Sequence, residues 1–135
     1  MNKVLSKVID QRQLVSVMNK TKWRELCSSF ATQGDASPEV RYKLIYEDKI
    51  LGFSKVWWDE LFNDSVAIEW IDFNPFEHEF IGHLVYDNST DIRDRILEVF
   101  HNFNIPYSIE SKYYRVWGYI NANDNPEFVK QDQKN

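Results

Sequence analysis

The chain reads as an α+β domain of two layers, with two N-terminal helices, an antiparallel sheet of about five or six strands, and one helix before a C-terminal hairpin. Three features carry that reading. Apolar residues recur at helical spacing before Gly34 and again from Ile92 to Phe103. Between Val40 and Tyr86 the apolar period shortens to two. The strands follow one another across short turns, which favours antiparallel pairing, with helices laid against the sheet.

The elements follow in order. Val4, Leu5, Val8 and Ile9 form an i, i+1, i+4, i+5 stripe of a first helix. It either breaks at polar Gln11-Arg12-Gln13 or continues through Leu14, Val15, Val17 and Met18. Trp23, Leu26, Cys27, Phe30 and Ala31 give the second helix one buried face, and Asn19 or Thr21 is placed to cap it by accepting from free backbone N–H groups. Gly34 and Pro38 end it. Val40, Tyr42, Leu44 and Tyr46 alternate with Arg41, Lys43 and Ile45 as in a half-buried strand. A second strand is expected over 50–58, with Gly52 at a bulge, and a third over 65–73. Phe80 to Tyr86 reads as a fourth. Ser89 or Thr90 is expected to cap the last helix, whose apolar stripe is Ile92, Ile96, Leu97, Val99, Phe100 and Phe103. Asn104 and Pro106 stop it, and 107–110 with 113–120 form a hairpin around Ser111-Lys112. Residues 1–120 are thus expected to make one domain, with Trp23, Leu26, Phe30, Ile68, Ile96 and Phe100 in its core. Residues 121–135 are polar and are expected to fray.

Five tryptophans, seven tyrosines and nine phenylalanines stand among 135 residues, beside one cysteine, three histidines and four glycines. Rings at that density supply burial and flat contact surface, whereas chemistry draws on clustered nucleophiles, bases or metal ligands. A net charge of −5 makes the chain a poor partner for phosphate backbones, so nucleic acid is not expected. No apolar run approaches the roughly 20 residues that cross a bilayer, and the N-terminus lacks the apolar core of a signal peptide, so no membrane is expected either. The lone Cys27 fits a reducing, cytoplasmic setting.

Each candidate for chemistry has an ordinary counterpart. His78-Glu79-Phe80-Ile81-Gly82-His83 looks like a zinc motif, but its histidines are five apart, about 140° out of register on a helix. No metal and no cofactor are expected. Glu69 and Asp72 are a carboxylate pair, yet residues three apart in a regular strand point to opposite faces, so sharing one site would require a bulge. Glu77, Glu79 and Asp87 add acid nearby without metal-loop spacing. Cys27 lies on an apolar helix face, where an inert buried thiol is the rule. The glycines are isolated, so no phosphate-binding loop is present. No catalytic residue is assigned.

The rings remain. Trp57 and Trp58 are adjacent, so in a strand only one can enter the core. Tyr113, Arg115, Trp117 and Tyr119 are expected on one side of the last strand, with Tyr114 and Val116 on the other. Trp and Arg together are typical of protein-contact anchors.

The phrases Leu14-Val15-Ser16-Val17-Met18-Asn19-Lys20-Thr21-Lys22-Trp23-Arg24-Glu25-Leu26, Ile68-Glu69-Trp70-Ile71-Asp72, Asn104-Ile105-Pro106-Tyr107 and Val116-Trp117-Gly118-Tyr119 resemble, in this order, a small bacterial domain family of unknown function. The resemblance spans about residues 14–120 and implies a bacterial, cytosolic protein; it brings no activity. Small acidic bacterial proteins of this kind include immunity proteins, which neutralise a toxin by binding it. The expected function is therefore a non-catalytic protein-binding domain, with a basic toxin or a second copy of the chain as partner. Its contact residues are drawn from Trp57, Trp58, Glu69, Trp70, Asp72, Arg115, Trp117 and Tyr119. The alternative is a small-ligand binder or enzyme with an aromatic and acidic pocket around Glu69, Trp70 and Asp72.

Overall fold

A computed structural model describes residues 3–77, 80–81, 84–85 and 90–131. The chain is α+β. Helix α1 (Lys3–Arg12) stops where Gln13 turns left-handed at φ 53°, and Leu14 N–H closes the end on the Ile9 carbonyl at 3.0 Å. A short strand β1 (Val15–Ser16) leads to helix α2 (Lys20–Ala31). Asn19 caps it, its side-chain oxygen accepting from Lys22 N–H at 2.7 Å. Gly34, at φ 58°, opens the turn that ends this helical region, a conformation that costs a glycine little.

Strand β2 (Val40–Leu44), helix α3 (Trp58–Asp64) and strand β3 (Ile68–Phe73) follow. Four two-residue strands come next: β4 (Phe76–Glu77), β5 (Phe80–Ile81), β6 (Leu84–Val85) and β7 (Thr90–Asp91). Pairing β4 with β7 and β5 with β6 makes two small antiparallel ladders. Helix α4 (Arg93–Asn102) then enters the hairpin of β8 (Tyr107–Glu110) and β9 (Tyr113–Trp117), and β10 (Tyr119–Ile120) pairs with β1.

The main sheet has the order β2-β3-β9-β8, all antiparallel. Alternation places Val40, Ile71, Phe73, Tyr107, Tyr114 and Val116 on its inner face. They share one apolar cluster with Trp23, Leu26, Cys27 and Phe30 of α2, Trp58 and Leu61 of α3, and Ile96, Val99 and Phe100 of α4. Rings run through it in contact: Phe30–Phe73 at 5.1 Å, Phe73–Phe100 at 5.2 Å edge-on, and Phe100–Tyr107 at 5.0 Å. Each such fully buried side chain contributes roughly 1.5–3 kcal/mol by leaving water. All six residues expected in the core are buried there. Helix α1 joins a smaller cluster through Leu5, with Leu14, Ile45, Ala67 and Tyr119.

The structure corrects several expectations. Residues 50–57 are not a strand; only Ser54 bridges to Val40, exchanging hydrogen bonds at 2.9 and 3.0 Å. Trp58 instead starts a helix, because Trp58 and Leu61 share one buried face while Asp59 and Glu60 sit in the first turn, where the helix dipole favours acid. A single 3₁₀ turn occupies 65–67, so β3 begins at Ile68. Thr90 pairs with Glu77 rather than capping α4, which starts at Arg93 with no side-chain cap bond at Ile92. Ser89 lies outside the described residues, as do His78, Glu79, His83, Tyr86 and Asp87. The polar tail docks as far as Gln131: Phe128 bridges to Ser108, Val129 N–H donates to the Tyr107 carbonyl at 2.8 Å, and Gln131 donates to the Ile105 carbonyl at 2.8 Å. Both edges of the sheet are thereby partly occupied, Val40 by Ser54 and Ser108 by Phe128, which limits edge-to-edge aggregation.

Candidate functional site

The outer face of the sheet is built from β2, β3 and β9 in register, Arg41 opposite Asp72 and Asp72 opposite Arg115. Asp72 has no solvent exposure. Arg115 grips it with Nε at 2.6 Å and Nη2 at 3.0 Å, and Arg41 adds Nε at 3.1 Å. Rings hold both guanidinium groups: Arg115 lies 3.8 Å from the Trp70 ring centre, and Arg41 lies 4.7 Å from Phe53 and 5.0 Å from Tyr113. Trp117 donates its indole N–H to Ser108 at 2.8 Å, and Ser108 donates to Glu110 at 3.0 Å.

Glu69 has a separate set of partners. Lys43 pairs with Trp70 and Leu44 with Ile68, so Glu69 is the extra residue of a bulge in β3. The bulge that a shared carboxylate site would require is therefore present, but it delivers Glu69 to other cations. Arg12, in the last turn of α1, binds both its oxygens at 2.6 and 3.2 Å, and Lys43 binds one at 2.9 Å. Burial alone would raise the Glu69 carboxyl; hydrogen bonds and charge from Arg12 and Lys43 more than offset it and hold the group below the ordinary carboxylate range. Glu69 and Asp72 are thus two ion-paired anchors that tie α1, β2, β3 and β9 together. They do not converge on one cleft.

The expected strip Trp117–Tyr119 is not an exposed surface. Trp117 is 6% and Tyr119 8% exposed, and Trp70 and Trp58 are buried as well. For Tyr119 the cause is Gly118. Its N–H donates to the Glu69 carbonyl at 2.8 Å and its carbonyl accepts from Val17 at 2.9 Å, so the chain leaves the sheet there to join β1. Tyr119 consequently turns into the α1 cluster, and its hydroxyl donates to the Val66 carbonyl at 2.6 Å. Beside it, a hollow of about 520 Å³ is lined in part by Asn19, Trp23, Phe62, Asn63 and Tyr119. The Cys27 thiol is pushed up to about 12 by burial, helped by Asp59, which leaves it unreactive.

Trp57 is the exception. It is 79% exposed, and it is the N-cap residue of α3 with its neighbour Trp58 turned inward. A hollow of about 610 Å³ borders it, lined by Asp35, Ser37, Lys55, Trp58 and Asp59 among others. A smaller one of about 210 Å³ also borders it, lined by Tyr42, Lys55, Glu60 and Asp64 among others. Sequence reasoning named Trp57 but missed these carboxylates. The signal was available: two acids, Asp59 and Glu60, directly follow the tryptophan pair, but a strand expected over 50–58 gives them no helix to begin. It also missed Arg12, Arg41 and Lys43, the cations that neutralise Glu69 and Asp72. Among the described residues no three metal-ligating side chains gather, and no helix is long and apolar enough to cross a membrane.

Fold and site together define an α+β protein with an ion-paired outer sheet face and a single exposed tryptophan that borders two hollows partly lined by acids. The chain belongs to DUF6678, a family of unknown function, whose profile matches residues 5–123. No curated protein and no solved structure matches it.

Proposed function

We propose that this protein is a non-catalytic protein-binding domain of the bacterial cytoplasm and that Trp57 is the centre of its contact surface. In this reading the domain has two layers, helices α2, α3 and α4 covering one face of the sheet, and the α3 end carries the binding surface. One observation supports the reading above others: an indole 79% exposed that borders two hollows, in a chain whose remaining tryptophans are all buried. Tryptophan is enriched among residues that carry binding energy, because it brings a large rigid area at little entropic cost. The small-ligand reading around Glu69, Trp70 and Asp72 finds less support, since each carboxylate is already taken by two cations.

Affinity capture from the host lysate tests the proposal, with the captured protein identified and Trp57→Ala as the comparison. A partner held by the wild type and lost by the variant, at unchanged thermal stability, is the expected result. Equal retention by both chains, or no partner together with a concentration-independent monomer in sedimentation, would overturn it.

A further inference from the structure

We infer that the Trp57 surface takes an extended basic segment of a partner protein, one cationic side chain entering each of the two hollows that Trp57 borders. This rests on the protein-contact reading of Trp57 and specifies the chemistry of its occupant. The two hollows share Lys55, Val56 and Trp57 in their linings, and each has its own pair of acids, Asp35 and Asp59 in one and Glu60 and Asp64 in the other. Lys55 is the single cation lining either hollow, and its ammonium is drawn back onto the chain, donating to the carbonyls of Asp35 and Ser37. The acids act on what lies beside them. After burial, Asp59 is the further cause that raises the Cys27 thiol, and Asp64 and Glu60 are among those that raise the Tyr42 phenol. An indole face attracts cations, most strongly those of Arg and Lys, and flanking carboxylates add to that attraction at short range. A second copy of the chain fits poorly, because a two-fold contact would set the same acids against each other. Phosphate-bearing partners would meet the same repulsion.

The tryptophans make the surface directly observable. Trp23, Trp58, Trp70 and Trp117 are 4–7% exposed, so acrylamide quenching of the folded protein reports on Trp57. The probe is a blocked peptide in which two arginines bracket a leucine, compared with one carrying neutral citrulline in place of both. The arginine peptide is expected to shield Trp57 saturably. Its affinity should fall about fivefold or more on raising salt to about 0.5 M, where screening length is only a few ångströms. The citrulline peptide should bind about fivefold or more weaker, and Asp59→Asn and Asp64→Asn should each weaken the arginine peptide, one acid from each hollow. Equal binding of the two peptides, salt-independent binding, or no effect of either substitution overturns the inference. No shielding by either peptide also overturns it. The contact reading is separable: if the captured partner still depends on Trp57 while the arginine peptide fails, the contact stands and its basic occupant does not. Both fail if the Trp57→Ala chain loses no partner and the peptide does not bind.

Discussion

Trp57 and Trp58 are adjacent in sequence and opposite in environment: Trp57 is 79% exposed, while Trp58 is 5% exposed with its ring stacked 5.1 Å from Phe30 and 6.2 Å from Phe73. The start of α3 separates them. Trp57 keeps an extended backbone at φ −84°, ψ 108°, and Trp58 is the first helical residue. One ring anchors the helix to the core and the other is left at the surface.

Replacing each by alanine should therefore give unequal results. Trp58→Ala should cost about 3–5 kcal/mol through lost burial and a residual cavity. Trp57→Ala should stay within about 0.5 kcal/mol of the wild type, as surface substitutions do. Urea melts of the two variants decide the matter; similar losses would mean that Trp57 is part of the core.

Asp72 is fully buried between Arg41 and Arg115. Asp72→Asn removes the charge but keeps the shape, and it leaves two guanidinium groups without their counter-ion. A loss of about 3 kcal/mol is expected, and Arg115→Met in the same chain should recover part of it, because a buried charge without a partner is the main source of the penalty. Equilibrium unfolding of the single and double variants measures the recovery, and strict additivity would show that the pairing contributes nothing.

Glu69 sets a pH dependence with a definite sign. Its folded-state carboxyl lies below the ordinary value, burial being more than offset by Arg12 and Lys43. The unfolded chain therefore binds the proton more readily. The stability that Glu69 supplies is complete above the unfolded value of about 4.3 and is lost as pH falls through the lower folded value. Glu69→Gln should be less stable than the wild type at neutral pH, with the gap narrowing in acid. Urea midpoints from pH 7 down to pH 3 provide the measurement, and a gap that widens in acid would contradict the assignment.

Gly118 allows a close crossing of chains. A Cβ there would stand 2.1 Å from the Ile68 carbonyl oxygen and 3.3 Å from the Trp23 ring. Since the nearer obstacle is backbone, Gly118→Ala must displace either β3 or the β1–β10 ladder, at a cost of roughly 3 kcal/mol or total loss of folding. A thermal midpoint within a degree or two of the wild type would show that the crossing is looser than described.

Cys27 should resist modification. Its thiol is pushed up to about 12, so almost no thiolate forms at neutral pH, and the sulfur is buried as well. A thiol reagent at pH 8 should label the chain only in denaturant, and fast labelling of the folded protein would place Cys27 at the surface.

Much of this protein was legible in its residues. The stripes of α1, α2 and α4, the alternation of β2 and the turn at Ser111-Lys112 that joins β8 to β9 all depend on spacing within one segment, and local spacing is what a sequence displays. Five of the six expected core positions followed from those stripes, and the sixth, Ile68, from the strand expected over 65–73. The expectation that only one of Trp57 and Trp58 is interior assumed a strand; one ring is interior, but the helix start at Trp58 is what separates them. Tertiary structure decided the rest. Which tryptophan stays outside depends on the start of α3, and that helix forms because its apolar side meets Phe30 and Phe73, residues far away in the chain. The fate of Glu69 and Asp72 depends on cations 26–57 residues away, delivered by strand register and by the end of α1. The inward turn of Tyr119 depends on the passage of Gly118 across Ile68, and Trp117 is held by Ser108 and Arg115 from neighbouring sheet positions. Short-range periodicity fixes which face of an element is apolar, but only packing determines which other element meets that face, and hence which charges are neutralised and which ring is left for a partner.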